Sequence, residues 1–264
     1  MLISFKLPNQ REVFVKELLY KDLRNFSLYK DSTLPGRLNF LDTFIHTKNL
    51  NILEKLHAFI YLRKKCIGET VQITSNTGSV GVQISYIEKN LGGIEDISET
   101  ICVDNATYVL NYPCKFNLGD TDFILSIIES IELDGEKIIT ADLTDKEYIQ
   151  VFKTLPKKIY SHLKQFIKKN ENYFLLDVLT ERANLDVKNT TLNILTTDLP
   201  AFIVDLFDCV NDYSYRELLF VLCKRIPDVN FLINSTYLEL DDYYILYKSE
   251  VEKENENLQS SQSI

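Results

Sequence analysis

The feature that most constrains this chain is a change of hydrophobic period between Leu50 and Ile84. Leu53, Leu56, Phe59 and Ile60 recur at steps of three and four, so Leu50 to Arg63 reads as an amphipathic helix. Gly68 ends it, because glycine takes the backbone conformations that close a helix. Val71-Gln72-Ile73-Thr74 then alternates as a strand, Asn76-Thr77-Gly78 offers a turn, and Val80, Val82 and Ile84 return with period two. A helix that hands over to a hairpin within one short stretch predicts an α+β fold.

The flanking segments extend that reading. Ile3, Phe5 and Leu7 alternate, Pro8-Asn9-Gln10 turns, and Val13 and Val15 alternate again, which predicts an N-terminal hairpin. Leu23 and Phe26 sit at helical spacing. Pro35-Gly36 predicts a break, followed by a helix through Leu38, Leu41, Phe44 and Ile45. Ile101 to Val103 and Thr107 to Tyr112 read as strands. Phe123, Ile124, Ile127, Ile128 and Ile131 predict one helical face behind Asp120 and Asp122, with Asp134-Gly135 as a turn after it. Thr144-Asp145-Lys146-Glu147 is a capping box ahead of Tyr148, Val151, Phe152 and Leu155. Helices are also expected through Ile159 to Ile167, from Leu199 to Phe207, from Tyr215 to Leu222, and from Leu238 to Val251 behind Ser235 and Thr236. The expected organisation is an N-terminal α+β region with β-hairpins over 1–116 and a mainly helical region over 117–251. A disordered polar tail is expected over 252–264, where little can be buried.

Charge and cysteine usage narrow the function classes. A net charge of -9 repels a phosphate backbone, so nucleic acid is not an expected partner. The basic clusters Arg63-Lys64-Lys65 and Lys157-Lys158 with Lys164, Lys168 and Lys169 read as solvated helix faces. Cys66, Cys102, Cys114, Cys209 and Cys223 are odd in number and form no Cys-x-x-Cys pair, so small buried apolar roles in a reducing cytoplasm are expected. No apolar run approaches the roughly 20 residues that span a bilayer. Met1 to Lys6 turns polar too early for a signal peptide.

The residues that carry chemistry do not converge. His46, His57 and His162 sit in separate segments with no partner at metal-ligand spacing. Gly-x-Ser-x-Gly, Gly-x-x-x-x-Gly-Lys-Ser/Thr and Gly-x-Gly-x-x-Gly are all absent. Asp120 with Asp122, and Asp241-Asp242, suit helix N-terminal turns better than a cation site. No catalytic residue, metal or cofactor is expected, and the chain is not expected to be an enzyme. A small cytoplasmic enzyme with an unrecognised site is the remote alternative.

The run from Leu50 through Leu62-Arg63, Lys64-Lys65-Cys66-Ile67 and Gly68-Glu69 into Val71 resembles the small baseplate proteins of T-even-type contractile-tail phages. In that family, which includes hub assembly proteins, a helix runs into Leu-Arg, two variable positions, a small residue, one apolar position and Gly-Glu before a strand. Leu62, Arg63, Gly68 and Glu69 match at that spacing, and Cys66 stands where serine is usual. Leu7-Pro8 with Gln10, Tyr108 to Pro113, Leu143 to Pro156 and Leu195 to Phe202 are similar in order, so the likeness spans about residues 2 to 250. Some relatives carry a cysteine pair where this chain has Lys168-Lys169-Asn170-Glu171, so no metal carries over. The resemblance implies a non-enzymatic, chaperone-like factor. It would bind baseplate hub proteins in the host cytoplasm during virion assembly, with a permanent minor subunit of the virion baseplate as the alternative. It leaves the oligomeric state open. Leu62, Arg63, Gly68 and Glu69 serve either a helix stop, with Glu69 reaching Arg63, or a partner contact. The expected partner surface comprises Tyr213, Tyr215 and Phe220 with Tyr243, Tyr244 and Tyr247, each of which also suits a core.

Overall fold

The computed structural model of the chain describes residues 1–28, 33–75, 78–84, 97–114, 124–170, 175–180, 188–193, 199–209 and 212–262. Expectations resting on Asn76, Thr77, Asp120, Asp122, Phe123 and Leu195 lie outside them.

Strands β1 (Leu2–Lys6) and β2 (Glu12–Lys16) form the N-terminal hairpin, with Ile3 opposite Val15 and Phe5 opposite Val13. Val13 and Val15 point inward while Glu12, Phe14 and Lys16 face water, the alternation that a one-sided strand demands. Helix α1 (Tyr20–Leu28) buries Tyr20, Leu23 and Phe26. Helix α2 (Leu34–Asp42) corrects one expectation. Pro35 and Gly36 do not break the chain before the helix but lie in its first turn. Proline is tolerated there because first-turn N–H groups have no intrahelical acceptor.

Helix α3 (Ile52–Cys66) begins at a reciprocal cap. Asn51 Oδ1 accepts from the N–H groups of Leu53 and Glu54 at 3.0 and 2.9 Å, and the Glu54 carboxylate accepts from Asn51 N–H at 3.0 Å. Glu54 also takes an ion pair from Arg11 at 3.0 Å, which ties the turn of the first hairpin to the helix start. Beyond α3, strands β3 (Thr70–Ser75) and β4 (Gly78–Gln83) pair as the hairpin the period predicts.

Strands β5 (Glu99–Val103), β6 (Ala106–Leu110), β7 (Ile128–Leu133) and β8 (Glu136–Ile139) form a four-stranded antiparallel sheet in sequential order. Here the structure overturns the expected helix over Ile128 and Ile131. Among the described residues, 124–126 are helical and the strand begins at Ile128. Two features outweigh the helical spacing. Asp134 and Gly135 both adopt positive φ, +52° and +85°, the geometry of a two-residue hairpin turn. The β-branched isoleucines also suit a half-buried strand, so Ile128 and Ile131 are inward while Glu129 and Glu132 face out.

Helix α4 (Asp145–Lys153) starts at the predicted cap, the Glu147 carboxylate accepting from the Thr144 N–H and hydroxyl at 2.9 and 2.6 Å. Helix α5 (Lys157–Lys169) buries Ile159, Leu163 and Phe166, lies against β5, and sets Phe166 5.5 Å from Tyr112. Strands β9 (Leu175–Thr180) and β10 (Lys188–Asn193) form a further hairpin. Helix α6 (Leu199–Phe207) packs against α2, α3 and β3, and its Phe207 meets Phe26 and Phe59 edge-on at 6.4 and 6.0 Å. Helices α7 (Asp212–Leu222), α8 (Val229–Ile233) and α9 (Tyr237–Gln262) complete the chain. α7 and α8 lie on α1, while α9 lies on α3 and α7. α9 continues to Gln262, past the point where polar composition predicts loss of order, and residues 252–257 are exposed on it.

Candidate partner-binding surface

The family-motif residues build an internal turn. Leu62 is fully buried, and Arg63 is 5 % exposed. Arg63 Nη1 donates to the Gly68 carbonyl at 2.7 Å and Nη2 to the Thr70 carbonyl at 2.6 Å. The guanidinium thus clamps the exit of α3 to the entry of β3. Gly68 has φ +124°, a region that side-chain-bearing residues rarely adopt, and its N–H closes onto the Arg63 carbonyl at 3.1 Å. A Cβ added there would sit 3.8 Å from a Leu238 methyl, so α9 packs directly over the turn. Burial lowers the Arg63 pKa from its ordinary value, an effect opposed by the nearby Cys209 and Tyr237. The Glu69 carbonyl accepts from Ile84 N–H at 2.7 Å. Its carboxylate does not reach Arg63 as the sequence reading suggests. It faces Lys64 at 3.4 Å on the surface, because both of the guanidinium's terminal nitrogens already bind backbone carbonyls. Cys66 accepts from Leu18 N–H at 3.4 Å, and burial pushes its thiol pKa up to about 11, so it is an inert core group.

The six aromatic residues divide by helix face. Tyr215 is 6 % exposed, stacks on Tyr20 at 4.5 Å and belongs to the core. Tyr213 and Phe220, by contrast, are 76 % and 70 % exposed. At about 100° per residue, Tyr213 and Phe220 share a face, whereas Tyr215 lies about 200° from Tyr213. One face of α7 is therefore anchored on α1 while the opposite face presents aromatic rings to water. Lys224 Nζ lies 5.2 Å from the Phe220 ring centroid.

On α9, Tyr243, Tyr244 and Tyr247 are half-buried. Tyr243 tilts against Phe231 of α8 at 5.9 Å, and Lys248 Nζ lies 5.4 Å from the Tyr244 ring centroid. The most exposed apolar residues among those described on this helix are Ile245 and Leu246, which the sequence reading missed. The signal was present. Tyr243 to Tyr247 are five consecutive apolar residues, a run that wraps the whole helix and must turn some of them toward solvent.

Two lysines of the second basic cluster form local ion pairs. Lys158 meets Asp104 at 3.2 Å and Lys169 meets Glu99 at 2.9 Å, so α5 is tied to the β5–β6 hairpin. Among the described residues no group of three or more His, Cys, Asp or Glu gathers at metal-binding distance. No described helix is long and apolar enough to cross a membrane.

Comparison with curated proteins and with solved structures finds no match to this chain. A family model does match it, described as T4 bacteriophage base plate protein and aligned over residues 2–182. That span covers most of the chain, including the Leu62 to Glu69 turn and the four-stranded sheet, and the chain therefore belongs to the T4-type phage base plate protein family.

Proposed function

We propose that this baseplate protein works by binding other tail proteins while the baseplate is built, as a chaperone-like hub assembly factor without catalytic activity. The observation that carries the reading is the outward face of α7. Two large aromatic rings, Tyr213 and Phe220, stand in water on a helix whose other face is fixed to the core. Rigidly held aromatic side chains lose little entropy on association and bury large area, which suits a surface that recognises a partner. Ile245 and Leu246 on α9 add a second exposed apolar pair. Arg63 and Asn51 serve internal wiring: Arg63 binds backbone carbonyls, and Asn51 caps a helix. The partner is a hub protein, met in the host cytoplasm before the final interface closes.

The test is affinity capture of the tagged chain from infected cells before lysis, read by mass spectrometry. Hub or other tail proteins should co-purify, and capture should weaken in a Tyr213→Ser, Phe220→Ser double variant. Recovery of no tail protein would defeat the reading. Membership of a base plate family also favours a permanent subunit. Mass spectrometry of purified mature particles separates the two, since an assembly factor is absent from them and a subunit is present.

A further inference from the structure

The two edges of the four-stranded sheet are treated differently. At the β5 edge, α5 packs alongside and forms the ion pairs Lys158–Asp104 and Lys169–Glu99. At the other edge, all four residues of β8 are exposed. The register shows what β8 offers. Asp134 and Gly135 form a two-residue turn closed by the pair Leu133 and Glu136. In such a hairpin the closing pair exchanges hydrogen bonds, the next pair does not, and the pattern alternates. Ile131 and Ile138 are therefore bonded to each other. Lys137 turns its N–H and C=O away from β7, toward the open edge, and Ile139 its N–H, while the Ile139 carbonyl begins the 3₁₀ turn Thr140–Asp142 that follows. β7 obeys the same count, since Glu132 and Ser130 direct theirs to Thr107 and Val109 of β6.

The open edge is bordered by exposed Leu133, Ile138 and Ile139. A lysine on an edge strand ordinarily deters pairing. Here Lys137 stands directly opposite Glu132, which offsets its charge. Residues 129–142 hold five carboxylates, Glu129, Glu132, Asp134, Glu136 and Asp142, against that one lysine, an excess of four negative charges. Among the described residues the surface thus combines unpaired backbone groups at strand spacing, aliphatic side chains and a negative field.

We propose that the outer edge of β8 docks an extended segment of a partner protein that alternates aliphatic and basic residues and adds to the sheet as a fifth strand through Lys137 and Ile139. An extended chain is the occupant that meets two outward N–H groups two residues apart, with an outward C=O beside the first. The charge excess selects a basic segment and opposes a second copy, which would bring two acidic edges together. The inference rests on the sheet alone and stands whether or not the partner is a hub protein.

The probe is a fluorescein-labelled heptapeptide in which lysine alternates with valine, titrated against the full chain by fluorescence anisotropy. Saturable binding is expected, with slowed hydrogen exchange at the Lys137 and Ile139 amides. Lys137→Pro removes one outward donor at an edge position that tolerates proline, and should weaken binding at least about tenfold. N-methylation of alternate peptide residues should do the same. Ile139→Lys leaves the backbone intact and should also weaken binding, which keeps the test valid if the proline variant misfolds. Equal binding by the methylated peptide, or no protection at β8, would overturn the proposal. So would a concentration-dependent dimer of the free chain that Lys137→Pro dissolves, since the occupant would then be a second copy.

Discussion

The turn from Arg63 to Gly68 and the outer face of α7 are opposites. The turn carries the residues by which the family is resembled, and almost all of its chemistry points inward. The face of α7 carries no motif, yet it holds the most exposed aromatic rings of the described residues. A motif read from sequence marks what the fold requires, since a buried guanidinium and a positive-φ glycine have few substitutes. A binding face needs only exposed apolar area in a suitable shape, which many sequences supply.

The largest effect that tests this contrast belongs to Arg63. Arg63→Ala removes both clamps, leaving the Gly68 and Thr70 carbonyls without that donor, and empties the buried space its side chain fills. A loss of about 2–4 kcal/mol is expected, from two carbonyls deprived of a donor and the lost packing of a buried side chain. Urea unfolding measures it, and a loss under 1 kcal/mol would show that the turn is not structural. Gly68→Ala should cost about 1–3 kcal/mol. The cost is conformational rather than steric, because a Cβ finds only ordinary contact with Leu238. A Gly68→Ala variant of wild-type stability would mean that the turn relaxes without its glycine.

On the other side of the comparison, the Tyr213→Ser, Phe220→Ser variant should change stability by no more than about 0.5 kcal/mol, because both rings already stand in water. Tyr215→Ser on the same helix should cost about 3 kcal/mol, since it removes a core ring stacked on Tyr20. Thermal denaturation of the two variants compares the faces of one helix. Similar losses from both would erase the distinction on which the proposed binding face stands.

Much of this was legible in the residues, and the reasons are local. The Leu50–Arg63 helix, the first two hairpins and the Thr144 cap follow from period and cap chemistry, which involve only near neighbours. The β7 strand was misread because Ile124, Ile127, Ile128 and Ile131 satisfy helical spacing. The Asp134-Gly135 turn and the β-branched residues favour a strand there, and its pairing with Ala106 to Leu110, a contact distant in sequence, completes it. Pro35-Gly36 was misread because a break and a first turn look alike without the following contacts. The sorting of Tyr213 from Tyr215 was available from helical angle alone. Which of the two faces the core was not, because it depends on where α1 places Tyr20. The open edge of β8 is invisible in sequence, since edges are defined by what fails to pair.

Glu69 gives the smallest predicted effect and the sharpest discrimination. It is the one motif side chain that reaches the surface, where its carboxylate meets Lys64 at 3.4 Å. Pairs of this kind in water contribute about 0–1 kcal/mol and are screened by salt. Glu69→Gln should therefore shift stability by less than about 0.5 kcal/mol, and the shift should vanish at high salt. The same variant should capture tail proteins from infected cells as well as the wild type does, because the proposed contact lies on α7. If Glu69→Gln folds normally and loses capture, the motif is itself a working surface. Its inward residues would then be the support that presents Glu69, and the contrast between a structural turn and a binding face would collapse into one site.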